Sequence, residues 1–173
     1  GIFTSPTSSG QFYINAYQVD STAANAEVQY AVSYGNRLGS GSPDFTSDSG
    51  SHGMNASRVT YGAYRNLIYG DENQFFTFGT HVPDDFYVIN INRARYKHNL
   101  KPGTLDLRIA SSSAVGKEDI GVIKLTDDSV TTTGSSTVTN AGRQFNIVSG
   151  SLGTMSGSAL SQLGTTGSYG LFY

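Results

Sequence analysis

The 173-residue chain contains no cysteine, which excludes disulfides, zinc–thiolate centres and thiol nucleophiles and leaves the redox compartment open. Charge is also scarce: Asp, Glu, Lys and Arg make up 14%, against roughly 25% in an ordinary soluble domain. The net charge of −2 lacks the basic excess of a general nucleic-acid binder. No stretch approaches the roughly 18 apolar residues that suggest a membrane-spanning helix, and runs such as residues 86–89 are short. No repeat of fixed period is visible, which disfavours solenoids and propellers.

Gly, Ser, Thr and Asn fill the space left by the missing charge. Aromatics stand at 12%, with 11 Tyr, and they fall inside β-like runs, so the composition is not that of a disordered chain. Few charges leave such a surface poorly protected from self-association. This composition suits a chain whose surface becomes covered by partners.

Periodicity predicts a mainly β fold, a sandwich-like or mixed β domain with about eight strands, one short helix and long Gly/Ser loops. Residues 11–19 and 27–34 alternate in period two, the second placing Val28, Tyr30, Val32 and Tyr34 on one face, and the two are expected to pair antiparallel. A helix is predicted over 55–69 from the recurrence of Val59, Ala63 or Tyr64, Leu67 and Ile68. Asn55 or Ser57 would cap it, and Gly70 would stop it. Further strands are predicted over 73–78, 86–93, 104–110, 120–125, 144–149 and 169–173. In the 86–93 run, Tyr87, Ile89 and Ile91 alternate against Val88, Asn90 and Asn92. Lys101-Pro102-Gly103-Thr104 reads as a tight turn, and residues 130–138 as a weak edge strand or loop. The expected organisation is an N-terminal arm (1–10), a β-rich domain (11–149), and a Gly/Ser-rich loop with a final strand (150–173). The apolar ending Gly170-Leu171-Phe172-Tyr173 suggests a chain that continues beyond 173.

Catalytic constellations are thin. His52, His81 and His98 show no zinc-site spacing. Asp44, Asp48, Asp71 and Glu72 lack the order of a calcium loop. No phosphate-binding or dinucleotide fingerprint appears, and no serine sits in a convincing nucleophile elbow. Asp84-Asp85 and Asp127-Asp128 are paired carboxylates of the kind a glycosidase needs. They fall at predicted turns, where Asp is favoured because it bonds nearby backbone N–H groups. No catalytic residue, metal ligand or cofactor site is assigned, and the chain is expected not to be an enzyme.

One basic cluster stands out: Arg93, Arg95, Lys97, His98 and Lys101 surround Tyr96. Basic residues around an aromatic can follow a nucleic-acid backbone. With 11 Lys and Arg in the whole chain, contact with a protein neighbour is the better reading. The candidate protein contacts are therefore Arg93, Arg95, Tyr96, Lys97 and Lys101, together with Tyr61 and Tyr64, because Tyr is enriched at interfaces.

Residues 12–18 (FYINAYQ), 27–42 (EVQYAVSYGNRLGSGS), 56–73 (ASRVTYGAYRNLIYGDEN), 86–110 (FYVININRARYKHNLKPGTLDLRIA) and 169–173 (YGLFY), in that order, resemble virion structural proteins of contractile-tailed phages, cyanophages above all. The resemblance covers roughly residues 10–110 and the last twenty, and its most specific part is the strand, basic connection, Lys-Pro-Gly-Thr turn and strand of 86–110. It implies a structural and assembly role in a virion, in the tail, baseplate or neck, with other virion proteins as partners in a homo- or hetero-oligomer. It carries no catalytic residues. The alternatives are a receptor- or carbohydrate-binding module of a tail fibre, or a decoration protein of the capsid surface.

Overall fold

A computed structural model describes residues 3–4, 13–41, 56–110, 122–132, 137–156 and 168–173. Most of the 1–10 arm, the greater part of the loops expected over 35–53 and 150–167, the loop expected over 111–116, and Asp44, Asp48 and His52 lie outside them. The fold is mainly β, as the alternation predicts. The chain divides into two compact units, Gly1–Gln74 with Pro83–Asn99, and Phe75–Val82 with Leu100–Tyr173.

The first unit holds a four-stranded antiparallel sheet in the order β1 (Phe3–Thr4), β2 (Tyr13–Tyr17), β3 (Val28–Asn36) and β4 (Asp85–Ile91). The expected pairing of β2 with β3 is present, with Ile14 opposite Val32 and a register shift at Ala16/Tyr17. Helix α1 (Ala56–Tyr69) packs on one face of β3. Ser57, Tyr61 and Ile68 are buried and Tyr64 half-buried, a spacing of four, three and four that keeps one helical face on the sheet. Val59 and Leu67, expected on that face, are exposed. Ser57 is not the cap; it lies inside the helix and its hydroxyl donates to the Ser40 carbonyl at 2.9 Å. Gly70 ends the helix at φ 67°, donating to the Asn66 carbonyl at 3.0 Å. Gly35 permits the close packing: a β-carbon there would stand 2.9 Å from the Phe86 ring and 3.1 Å from the Tyr61 backbone nitrogen.

The second unit is built on β9 (Phe145–Ser151), flanked on one edge by β6 (Val122–Asp127) and then β5 (Leu107–Ala110). Its other edge is shared by β10 (Thr154–Met155) and β11 (Gly170–Phe172). A two-stranded pair, β7 (Val138–Thr139) and β8 (Gly142–Arg143), stands apart, and one helical turn, α2 (Ser129–Thr132), follows β6. The strand expected over 73–78 does not form; only an isolated bridge joins Phe78 to His81. The Gly/Ser segment expected from 150 begins inside β9, whose last residues turn back as a hairpin with β10.

Burial in this unit is unusually polar. Thr126, Asp127, Asp128 and Ser129 are enclosed together with Leu125, Phe145 and Val148. The Asp127 carboxylate accepts from the backbone N–H of Gly103 at 2.7 Å and of Leu105 at 3.3 Å. Asp128 accepts from the Asn146 backbone at 2.8 Å and its amide at 2.9 Å. The Thr126 hydroxyl donates to the Leu105 carbonyl and accepts from Gly153, both at 2.8 Å. These acids were expected to brace a local turn. Asp127 instead ties the end of β6 to the loop before β5, 22 to 24 residues away, and Asp128 ties it to the start of β9, 18 residues away.

Candidate interaction surface

The two faces of the first unit's sheet have different fates. Paired strand positions share a face. Gly35, Ser33 and Ala31 therefore lie with Phe86, Val88 and Asn90 on the side that receives Tyr61 of α1, whose ring lies 5.2 Å from Phe86. Ile14, then Tyr30, Val32 and Tyr34, then Tyr87, Ile89 and Ile91 occupy the opposite side. No described element of this unit lies on that side. Ile14 is 42% exposed, Ile89 46% and Tyr87 73%. Ile14, Val32 and Ile89 form one cross-strand row. The rings of Tyr34 and Tyr87 stand 5.3 Å apart in the adjacent row. At one end, residues 37–41 curl back, with Asn36 Oδ1 accepting from the Leu38 and Ser40 N–H groups at 2.9 and 3.0 Å.

The basic connection begins where β4 ends. Asn92 caps a short 3₁₀ turn (Arg93–Arg95), its side chain accepting from the Ala94 N–H at 2.9 Å. Arg93 folds back on its own loop, with its guanidinium 4.7 Å from the Tyr96 ring centre and donating to the Tyr96 and Lys97 carbonyls. Arg95 pairs with Glu27 at 2.7 Å. Lys97 and His98 are exposed, and Lys101, in the second unit, is exposed at the Pro102-Gly103 turn. Tyr61 is only 2% exposed; its ring belongs to the core and is not available to a neighbour. Tyr64 is half-buried, its ring edge-on to Phe86 at 6.4 Å.

Asp84 receives the Arg37 guanidinium at 2.5 and 2.9 Å, and Asp85 lies 3.4 Å from the Tyr34 hydroxyl. Asp127 and Asp128 are enclosed and bonded as described. Among the described residues no three His, Cys, Asp or Glu side chains gather in a way that could hold a metal ion. Among the described residues three groups are displaced from their ordinary titration range. The Arg108 guanidinium, helped by the Ser151 hydroxyl, holds Asp106 below the usual carboxylate range. The Thr22 hydroxyl and N–H do the same for Asp20. Burial, with Tyr61 alongside, pushes the Tyr69 hydroxyl up.

The open face was half visible in the sequence. Strand β4 is apolar on both sides, with Phe86 and Val88 alternating against Tyr87, Ile89 and Ile91. A strand apolar on both sides calls for two covering layers. Which side α1 would take depends on its docking, which no local pattern encodes. Comparison with known proteins returned no match among family models, curated proteins or solved structures.

Proposed function

We propose that this protein is a non-enzymatic structural and assembly component of a tailed-phage virion, in the tail, baseplate or neck, packing against other virion subunits. The observation that carries the reading is the row Ile14–Val32–Ile89 with Tyr87 beside it, an apolar sheet face on which Ile14, Ile89 and Tyr87 are exposed and Val32 half-buried, in a unit whose other face is covered by α1. Contiguous exposed apolar surface of this kind marks interaction sites. The sequence resemblance of residues 86–110 to virion proteins gives the partner class. The scarcity of charge supports a surface covered in an assembly. The acids Asp84, Asp127 and Asp128 each have partners within the fold, in keeping with a role that makes and breaks no bonds.

The test is location. In a cryo-EM reconstruction of purified particles the chain should be found with Ile14, Tyr87 and Ile89 buried against another subunit. A particle lacking the chain, or one leaving that face in solvent, overturns the reading.

One observation favours a second reading. Tyr30, Tyr34 and Tyr87 share the open face, and aromatic platforms also stack on sugars, so a carbohydrate-binding module of a tail fibre would use the same residues. Glycan binding by the isolated chain, lost in Tyr87→Ala, with the face solvent-exposed in the particle, would favour it.

A further inference from the structure

The ladder between β3 and β4 fixes which way each peptide of β4 points. Arg37 N–H donates to the Asp84 carbonyl at 2.7 Å, and Asn92 N–H donates to the Gln29 carbonyl at 3.0 Å. The register between them is unbroken. Antiparallel pairs alternate between bonded and non-bonded positions, so residues 84, 86, 88, 90 and 92 bond to β3. Asp85, Tyr87, Ile89 and Ile91 therefore direct their N–H and C=O groups away from it, and no described strand lies on that side. Natural edges are usually blunted by a proline, a lysine or a bulge. Asp85–Ile91 has none of these.

We propose that this edge pairs antiparallel with the same edge of a second copy of the chain, joining two sheets across a two-fold axis. Charge selects the occupant and the direction. Asp84 and Arg95 are paired within their own fold. That leaves Asp85, with a single long contact to Tyr34 at 3.4 Å, at one end of the strand, and Arg93 and Lys97 just past the other. Parallel pairing would set like ends together, whereas antiparallel self-pairing sets the acidic end of each copy beside the basic end of the other. With outward positions bonding to outward positions, a register centred on Ile89 places Ile89 opposite Ile89, Tyr87 opposite Ile91, and Asp85 opposite Arg93. Arg93 faces its own loop carbonyls, so the attraction acts between charged ends rather than through a preformed ion pair. The pairing is isologous and closes on itself, satisfying the exposed peptide groups of both copies by strand addition. It would also join the two open faces through the Ile14–Val32–Ile89 rows. The inference rests on the assembly role proposed above and names one partner for it.

The absence of cysteine makes the test direct. In Ile89→Cys of the whole chain the new thiol is the sole one. Directly opposed bonded positions lie about 5.5 Å apart between Cα atoms, within the roughly 4.4–6.8 Å that a disulfide spans. Mild oxidation should give a covalent dimer on a non-reducing gel in high yield, and Leu38→Cys, 70% exposed elsewhere in the same unit, should give little. A second variant, Ile89→Pro, removes an outward N–H together with the Ile89 side chain and leaves the bonds to β3 intact. Its sedimentation should show dimerisation weakened at least tenfold with an unchanged circular dichroism spectrum. Should Ile89→Pro fail to fold, Asp85→Lys should weaken dimerisation through the charged ends. Crosslinking of Ile89→Cys no greater than of Leu38→Cys, or a wild-type chain that sediments as a monomer at every concentration, overturns the pairing. Particles that bury the open face against a different protein while leaving β4 unpaired overturn it too, and leave the assembly role standing.

Discussion

The carboxylate of Asp127, itself closed to solvent, accepts the backbone N–H of half-buried Gly103 at 2.7 Å, joining positions 24 residues apart. The same carboxylate takes the Leu105 N–H, and its neighbour Thr126 takes the Leu105 carbonyl. The loop leading into β5 thus has its backbone groups satisfied by two consecutive side chains of β6. An unpaired N–H shielded from water is costly, so this short stretch of β6 holds the half-buried backbone of Gly103 and Leu105 in place.

Asp127→Ala should destabilise the second unit by about 2 kcal/mol, since it leaves two part-buried donors without their acceptor. Asp127→Asn should also destabilise, because its amide group presents a donor to N–H groups. Urea denaturation followed by fluorescence or circular dichroism measures both. Midpoints unchanged from wild type would remove the role given to this carboxylate.

Two glycines should respond in opposite directions. Gly153 has φ 77°, and a β-carbon on it would lie 2.6 Å from the Gly103 carbonyl oxygen. Gly153→Ala should cost about 2 kcal/mol or more, combining left-handed strain with a backbone clash. Gly62 sits within α1 with open space around it, and Gly62→Ala should stabilise by about 0.5–1 kcal/mol through helix propensity. Thermal melts of the pair give the comparison.

Adjacent residues of β4 should separate core from surface. Phe86 is buried against Tyr61 and Tyr64, so Phe86→Ala should lose about 3–4 kcal/mol. Tyr87 points to the open side, and Tyr87→Ala should change the stability of the monomer by less than about 1 kcal/mol. Its effect should appear in association instead, as a weaker complex by sedimentation.

Asp106 supplies a pH dependence with a defined sign. Its folded pKa lies below its unfolded value, chiefly because Arg108 hydrogen-bonds its charged form. Its contribution to stability is therefore present above the unfolded value, about 3.9, and is lost as pH falls through the folded pKa. Carboxyl-carbon NMR titration should place the Asp106 midpoint below that of a free aspartate. Arg108→Ala should move it upward, and an unmoved midpoint would rule out Arg108 as the cause.

The local elements were legible in the chain to different degrees. Helix α1 and the β2–β3 pair follow from period and punctuation: alternating apolar residues in the strands, and Gly70 after the last helical turn. The strand expected over 73–78 failed although Phe75, Phe76 and Phe78 favour one, because an aromatic run forms a strand only where another strand offers it a ladder, and here only His81 does. The basic cluster was visible as a cluster. That Arg93 would turn inward and Arg95 would find Glu27, 68 residues away, was not, since both depend on where distant backbone comes to rest.

The sequence by itself determined the β character, the alternation that gives each strand two faces, the position of the helix, and the lack of thiol chemistry. These follow from interactions between residues a few positions apart and from the residue types present. Only the tertiary structure decided that α1 covers the Phe86 side and leaves Ile14, Ile89 and Tyr87 exposed, that Tyr61 belongs to the core, and that Asp127 braces a distant loop and Asp128 a distant strand. Burial and long-range hydrogen bonding depend on which surfaces meet, and a period-two pattern reads the same whichever of its faces the helix covers.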